Sequence, residues 1–414
     1  MRRIDALIIG GGQAGLAMSR CLADRRVDHV VLERGRIAER WRRERWDSLR
    51  LLTPNWMTRL PGSRYTGPDP DGYMRVPEVV RFLEDYAQDS DAPVVTDAAV
   101  LGVTAAPTGG YHVESTAGHW HARQVVVATG HCDTPRVPAM AASAPGWVHQ
   151  LTPSDYRNPA QLPPGGVLVV GASASGLQLA DELARAGRAV TLAAGQHTRV
   201  PRLYRGRDLF YWLERLGLLR QSAGDVVDLA VSRAQPSFQL VGRPTHDTID
   251  LRGLAARGVA AVGRLAGLDD GGAWFDDDLI ASTAAADLKL ALLLGRIDRL
   301  ATADGAPPAP PFVPHWPAFI DGRAGHRDFR RDGIATIVWA TGYRRHYDWL
   351  RVPVLDGAGE IVHDGGVTPS PGLFVLGLQF LRHRSSSFLD GVGVDADHLA
   401  GAIARNLGRQ GAAA

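Results

Sequence analysis

Cysteine is almost absent from this sequence: Cys21 and Cys132 stand far apart and are the only two among 414 residues. They provide neither a disulfide framework nor a zinc-ligand spacing, and they suit a reducing compartment. Several enzyme signatures are missing too. There is no H-E-x-x-H, G-x-S-x-G or C-x-x-C, which argues against a zinc protease, a serine hydrolase and a dithiol reductase in turn, and no metal site is expected. No apolar run approaches the ~18 residues that a membrane span needs. Met1, Arg2 and Arg3 lead within a few residues into an extended run and a glycine turn, leaving no room for a cleavable signal, so the cytosol is the expected location. A net charge of +2 is too small to call for a nucleic-acid partner. What remains is a globular composition, 45% hydrophobic and 22% charged, on a chain long enough for two or three domains, of which two is the simpler count.

Extended and helical patterns alternate through most of the chain, as in an α/β protein with a mostly parallel sheet. The first unit is the apolar run Asp5 to Ile9, glycines at 10 to 12, a helix with Leu16, Ala17, Cys21 and Leu22 on one face, and a strand from His29 to Glu33. A second unit repeats the plan: Val167 to Val170, a turn from Gly171 to Gly176, a helix through Leu183, and a strand from Ala189 to Ala193. Each unit has a companion further on, VVVATG at 125–130 and IVWATG at 337–342, an apolar strand ending in Ala-Thr-Gly. Connectors are expected at 158–166 and in the Pro- and Ala-rich stretch 301–317. The architecture expected is two Rossmann-like dinucleotide-binding domains, the second (161–310) inserted into the first (1–160 and 311–414).

The first turn reads G-x-G-x-x-G, with Gly10, Gly12 and Gly15 enclosing Gln13 and Ala14, directly after a strand and at the mouth of a helix. The first glycine permits the tight turn, the second lets backbone approach a pyrophosphate, and the third allows close helix packing. Glu33 follows 18 residues after Gly15, where a carboxylate accepts hydrogen bonds from ribose hydroxyls. A purely structural glycine turn is the alternative. The second turn places Ser173 where the middle glycine would stand, with Gly171, Ala174, Ser175 and Gly176 around it. Its partner strand ends without an acidic residue, and His197, Thr198, Arg199, Arg202 and Arg205 follow. Guanidinium groups without a carboxylate favour a ribose 2′-phosphate, hence NADPH over NADH; arginines solvating a surface loop are the other reading.

With both turns and both ATG strands read, the chain resembles the flavin-containing monooxygenases, in particular their bacterial CzcO-type branch, over nearly its whole length. The stretches that carry the resemblance are WRRERWDSLRLLTPNW at 41–56, VPEVVRFLEDYA at 76–87, VVVATGHCDTPRVP at 125–138, SDYRNPAQLP at 154–163, HTRVPRLYRGRD at 197–208 and WATGYR at 339–344. One departure stands out. Aligned on Tyr156, the family's F-x-G-x-x-x-H-S-x-x-Y puts Gly146 at the Phe, Val148 at the Gly, Thr152 at the His and Pro153 at the Ser, so only the tyrosine is kept. His149 lies three positions early and does not inherit the histidine's role, and Tyr156 and Arg157 replace the Trp-Pro ending of the Baeyer–Villiger variant.

The resemblance implies FAD on the first turn and NADPH on the second. NADPH would reduce the flavin, O2 would add to the reduced ring, and the C4a-hydroperoxide would pass one oxygen atom to a small organic nitrogen, sulfur or carbonyl substrate. It also implies that 41–56 covers the flavin ring, with the indoles of Trp41 and Trp46 against it and Arg45, beside Asp47, stabilising an anionic reduced form; core packing of the tryptophans is equally open. Asn55 is the nearest amide to the oxygen-activating asparagine of the animal-type members and so the expected catalytic residue, a turn role after Pro54 being the alternative. Arg34 is expected at the adenosine end, Thr129 and Gly130 beside the pyrophosphate, Thr341 and Gly342 at the domain junction, and Gln379 and Asp390 near the flavin carbonyls, where a helix begins at about Asp395. Leu209, Phe210, Tyr211, Trp212, Phe238 and Leu240 suit a hydrophobic entry, a homodimer contact or ordinary helix packing. Two other functions stay open: a reductase, dehydrogenase or oxidase that inserts no oxygen, and a redox-sensing module that keeps the cofactors without a substrate cavity.

Overall fold

Two separate sheets, one mixed and one parallel, carry the two glycine turns. The structure is a computed structural model that describes residues 1–308 and 325–412, with 312 and 314 between them; the boundary expected at 310/311 and part of the 301–317 connector lie outside the described residues. The part of that connector that is described begins as the last turn of the helix Leu279–Ala303.

In the first sheet the strand Arg2–Ile9 lies between His29–Leu32 and Gly118–Val127, parallel to both. The long strand 118–127 serves two neighbours. Its first half pairs antiparallel with Tyr111–Ser115, and its second half pairs parallel with Leu373–Val375. The helix Gln13–Ala23 buries Leu16, Ala17, Cys21 and Leu22, the face read from the 3.6-residue pattern. The C-terminal helix Leu389–Ala412 packs against it, with Arg25 bonded to Asp397 at 2.7 Å.

The second sheet runs His149–Leu151, Ile334–Trp339, Gly166–Val170, Val190–Ala193, Ala260–Val262, all parallel. Two of these strands come from outside 161–310. The strand Ile334–Trp339 belongs beside Gly166–Val170 for a physical reason, because it supplies the backbone that closes the second glycine turn. A Cβ on Gly171 would sit 2.4 Å from the Ala340 carbonyl oxygen, and one on Gly10 would sit 2.7 Å from that of Ala128. Ala128 and Ala340 are the alanines of the two ATG elements. Their amides bond to Ile9 and Val170, each at 2.9 Å, and the amides of Gly10 and Gly171 bond to Leu32 and Ala193 at 2.8 and 2.9 Å. The repeated turn and the repeated ATG strand are therefore two halves of one contact, made twice.

The third glycine of each turn sets how closely the helix approaches. A Cβ on Gly15 would lie 1.8 Å from the Gly10 carbonyl oxygen, and one on Gly176 would lie 1.8 Å from that of Gly171. Gly12 differs, since nothing stands within 4 Å of where its Cβ would be. Among the described residues no helix is long and apolar enough to cross a membrane.

Gly15→Ala and Gly176→Ala are each expected to destabilise the cofactor-free protein by about 2–3 kcal/mol, because the added methyl meets backbone that cannot move aside. Gly12→Ala is expected to leave stability within about 0.5 kcal/mol. Urea midpoints at unchanged slope check this; equal losses at all three positions would show that turn conformation, not close approach, sets the requirement.

Candidate functional site

A cavity of about 740 Å³ opens from the first glycine turn, a size within the range of roughly 300–1,000 Å³ typical of small-molecule and cofactor sites. Gly10, Gly12, Gln13 and Ala14 form its floor. The helix behind them begins at Gly12 with no side-chain cap, so its first amides are free to face an anion. Glu33 closes one side. Its carboxylate accepts the Gly11 amide at 2.6 Å and the Gly35 amide at 3.0 Å, which orients it while lone pairs remain for further donors. Arg34, half-exposed and 3.2 Å from Glu44, flanks the same end. A bare backbone cradle, free helix amides and an oriented carboxylate together fit the pyrophosphate and ribose of a dinucleotide.

Trp41, Arg45, Thr129, Gly130 and Gln379 also line the cavity. The Trp41 indole nitrogen faces the Gln13 side-chain oxygen at 3.4 Å, and the Arg45 guanidinium sits 5.3 Å over the Trp41 ring, with one nitrogen bonded to the Glu44 carbonyl at 2.7 Å. Beyond them the wall turns apolar, through Phe210, Phe238, Leu240 and Phe388. The aromatic region expected at an entry thus contributes Phe210, Phe238 and Leu240 to the cavity, whereas Leu209 and Trp212 are buried in packing.

Other expected site residues lie elsewhere. Trp46 is buried in the core of the second sheet, against Leu151, Tyr156 and Leu177, and does not line the cavity. Asn55 is buried with both ends of its amide in use, donating to the Asp69 carbonyl and accepting from the Met74 amide, each at 2.8 Å. It pins the 69–74 loop and does not reach the cavity. Asp390 is held by Arg59 and Arg220 just below the cavity wall. The arginines expected at a 2′-phosphate are committed to carboxylates: Arg199 to Asp287, Arg202 to Asp208 at 2.7 Å, Arg205 to Asp298 at 2.7 Å. His197 is buried with Nδ1 on the Gly195 carbonyl at 2.9 Å, and burial holds its ring below the usual imidazole range. Thr198 forms a short strand with Phe238. Ser173, Ala174 and Ser175 open the second helix, again without a side-chain cap, and lie outside this cavity. Thr341 bonds to the Arg136 carbonyl, and Gly342 accepts the Arg136 amide at 2.9 Å, so both tie the two halves together.

Sequence reasoning passed over His131, Cys132 and Arg40, which line the cavity next to the first ATG element. Arg40 bonds to the Thr129 carbonyl at 3.0 Å and to Asp133 at 2.6 Å. Burial alone would raise the Cys132 thiol, but hydrogen-bonded His131 and the guanidiniums of Arg45 and Arg40 outweigh it and hold the thiol below its ordinary range. The adjacency His-Cys-Asp after ATG was the available signal.

A family model described as pyridine nucleotide-disulphide oxidoreductase matches residues 7–214. The chain belongs to that family. It is 31% identical to a CzcO-like oxidoreductase of Geobacillus kaustophilus, over 96% of this chain and 97% of that protein. It is 34% identical to the indole-3-pyruvate monooxygenase YUCCA1 of Oryza sativa subsp. japonica, over 44% of this chain and 45% of the plant enzyme. A flavin-containing monooxygenase structure from Stenotrophomonas maltophilia superposes with a TM-score of 0.67 at 21% identity, covering 97% of this chain and 98% of that one. The CzcO-type resemblance read from the motifs holds, the protein is an oxidoreductase of this family, and membership implies flavin and nicotinamide cofactors.

A thiol with a lowered pKa reaches its thiolate plateau at lower pH. Alkylation of Cys132 by iodoacetamide is therefore expected to show a pH midpoint below the ~8.5 of a free thiol, to shift upward in His131→Ala, and to slow at least about tenfold when flavin nucleotide is added. Cys21, whose thiol is pushed up to about 12 by burial, is expected to stay unlabelled. A midpoint above the ordinary value, read by mass spectrometry of the labelled peptide, would reverse the assignment.

Proposed function

We propose that the protein is a cytoplasmic FAD- and NADPH-dependent monooxygenase that transfers one atom of O2 to a small organic substrate. The observation that carries the reading is the continuity of one cavity from a dinucleotide cradle at Gly10–Gly15 to an apolar chamber at Phe210, Phe238 and Phe388. A flavin, when bound, supplies hydride acceptance and oxygen activation. The chain's own tasks are to bind, orient and exclude water. Gly10 and Gly12 with the first helix amides hold the pyrophosphate, Glu33 holds the ribose, and Trp41 and Gln379 border the ring. Arg45 has no carboxylate within ion-pair reach among the described residues and so favours negative charge beside Trp41. The phenylalanines keep water from the reacting end.

NADPH is assigned to the second turn. Ala194 occupies the place that Glu33 holds in the first unit, since Leu32 and Ala193 end equivalent strands. No carboxylate there repels a 2′-phosphate, and a Cβ at the adjoining Gly195 would lie 3.4 Å from Arg264 Nε. Arg264 is more than half exposed and faces Asp278 only at 3.8 Å, so it takes over the role that Arg199 is too committed to play. A second reading, a reductase or oxidase that releases peroxide, draws support from Thr152, whose hydroxyl is bonded to Asp155 at 2.7 Å where the monooxygenase motif has histidine.

With isotopically labelled O2, NADPH and a panel of sulfides, amines and ketones, the label is expected in an oxygenated product at a yield matching NADPH consumed. Recovery of all the oxygen as hydrogen peroxide across the panel would favour the second reading. Arg264→Ala is expected to cut the preference for NADPH over NADH about tenfold, one charge-assisted contact being worth roughly 1.5–3 kcal/mol. Arg199→Ala is expected instead to lower stability by about 3–5 kcal/mol with the preference unchanged. Apparent KM values for both nucleotides and thermal unfolding separate these outcomes.

A further inference from the structure

The apolar end of the cavity contains charge of one sign. Its wall is built from segments 210–240 and 379–389, and the only charged side chains these contribute to the lining are Arg233 and Arg384. The Arg384 guanidinium stacks on the Phe380 ring at 4.8 Å and donates to the Gln221 side-chain oxygen at 2.9 Å; among the described residues its Nε has no partner. The Arg233 guanidinium donates to the Phe380 carbonyl at 3.1 Å, and its Nε is likewise unpartnered among the described residues. Neither comes within 4 Å of a carboxylate among the described residues. In this they differ from Arg40, Arg199, Arg202 and Arg205, which each hold an aspartate. Asp390, one residue beyond the lining, is held by Arg59 and Arg220.

Phe380, whose ring carries Arg384 and whose carbonyl accepts Arg233, is buried and has a left-handed backbone, φ +47°. A phenylalanine takes that conformation at a cost that the surrounding structure must hold in place, and such residues gather at ligand clamps. Burial, and after it the neighbouring cations Arg345 and Arg296, draw Arg233 and Arg384 respectively down from the usual guanidinium range, with Glu360 opposing the shift at Arg233. Keeping two half-buried cations unpaired in an apolar chamber is unfavourable unless an incoming anion completes them.

We propose that the chamber takes a carboxylate-bearing substrate with an apolar, ring-sized body, its carboxylate on the Arg384 guanidinium and its body against Phe210, Phe238 and Phe388. The planar fork of a guanidinium matches a carboxylate with two parallel hydrogen bonds, and stacking on Phe380 holds that fork in one orientation. Arg233, bonded to the Phe380 carbonyl, adds positive potential at the same end. The inference rests on the proposed monooxygenase reading only for the chemistry that follows binding.

The test uses flavin-loaded protein titrated with 4-(methylthio)benzoate and with the neutral 4-(methylthio)benzamide, following the perturbation of the oxidised flavin spectrum and involving no turnover. The acid is expected to bind at least about tenfold tighter than the amide. In Arg384→Gln, the acid is expected to lose that advantage while the amide changes less than about twofold. Arg384→Lys is expected to restore part of it, with flavin content and thermal midpoint as controls for folding. Equal binding of acid and amide to the unaltered protein would overturn the proposal. So would an Arg384→Gln effect confined to NADPH affinity, which would assign the cation to a phosphate of the nucleotide. If the protein takes up no flavin, the monooxygenase reading fails by itself, and acid against amide is then compared by the shift each produces in the thermal midpoint.

Discussion

The structure depends on a contact that can be made only where side chains are missing. In each half a helix approaches the preceding strand so closely that its third-position glycine meets the carbonyl of the first, and the first glycine meets the carbonyl of an alanine on the neighbouring strand. These approaches aim the helix N-terminus, with its unpaired amides, at the space above the strand ends. The cavity lies above the first of them. Widening the approach by one methyl would tilt the helix, move the free amides and separate the ATG strand from the turn, so packing and binding geometry are one constraint here.

The segment 41–56 converts two such halves into one enclosure. Trp41 and Arg45 face the cavity, Trp46 plugs the core of the second sheet, Ser48 bonds to Glu182 on the second helix, and the Leu52 carbonyl accepts Arg202 at 2.7 Å. Tyr156, the surviving residue of the monooxygenase motif, lies fully buried beside this strap and donates to the same Glu182 at 3.1 Å. Its retention is accounted for by this packing without a catalytic role. Two tryptophans five positions apart thus do different work, because Trp41 sits in the short helix Glu39–Arg43 and Trp46 lies beyond its end.

This division explains what was legible in the sequence. Turns and strand ends are local: Gly10, Gly12, Gly15 and Glu33 announce their arrangement within 24 residues, and the second unit repeats it with small changes. Even the pairing of turn with ATG strand was visible as a co-occurrence, although its cause, a backbone contact between Gly10 and Ala128, was not. Ion pairs are another matter. Arg199 is separated from Asp287 by 88 residues and Arg205 from Asp298 by 93, so an arginine cluster that reads as a phosphate site turns out to have long-range partners. Asn55 misled for a related reason, since a buried amide does as well bonding to a loop as to a reactant, and only the direction of the side chain separates the two.

The same reasoning, run in reverse, identifies where function concentrates. A half-buried arginine costs several kcal/mol of lost solvation unless something offsets it, and over most of this interior an aspartate does. Where no acid is supplied, the missing charge is either provided by a ligand or tolerated at a loss of stability. Arg45, Arg233 and Arg384 share that condition and line the cavity that the glycine cradle opens, whereas Arg50, Arg157 and Arg188, which pair with no carboxylate among the described residues either, bond to backbone carbonyls outside it. Two phosphates and a reduced anionic ring account for negative charge near the cradle and Trp41. The segment 379–389 runs from Gln379, beside the proposed ring position, to Phe388 at the apolar end, so a substrate carboxylate proposed there would make charge as well as shape a criterion for what enters.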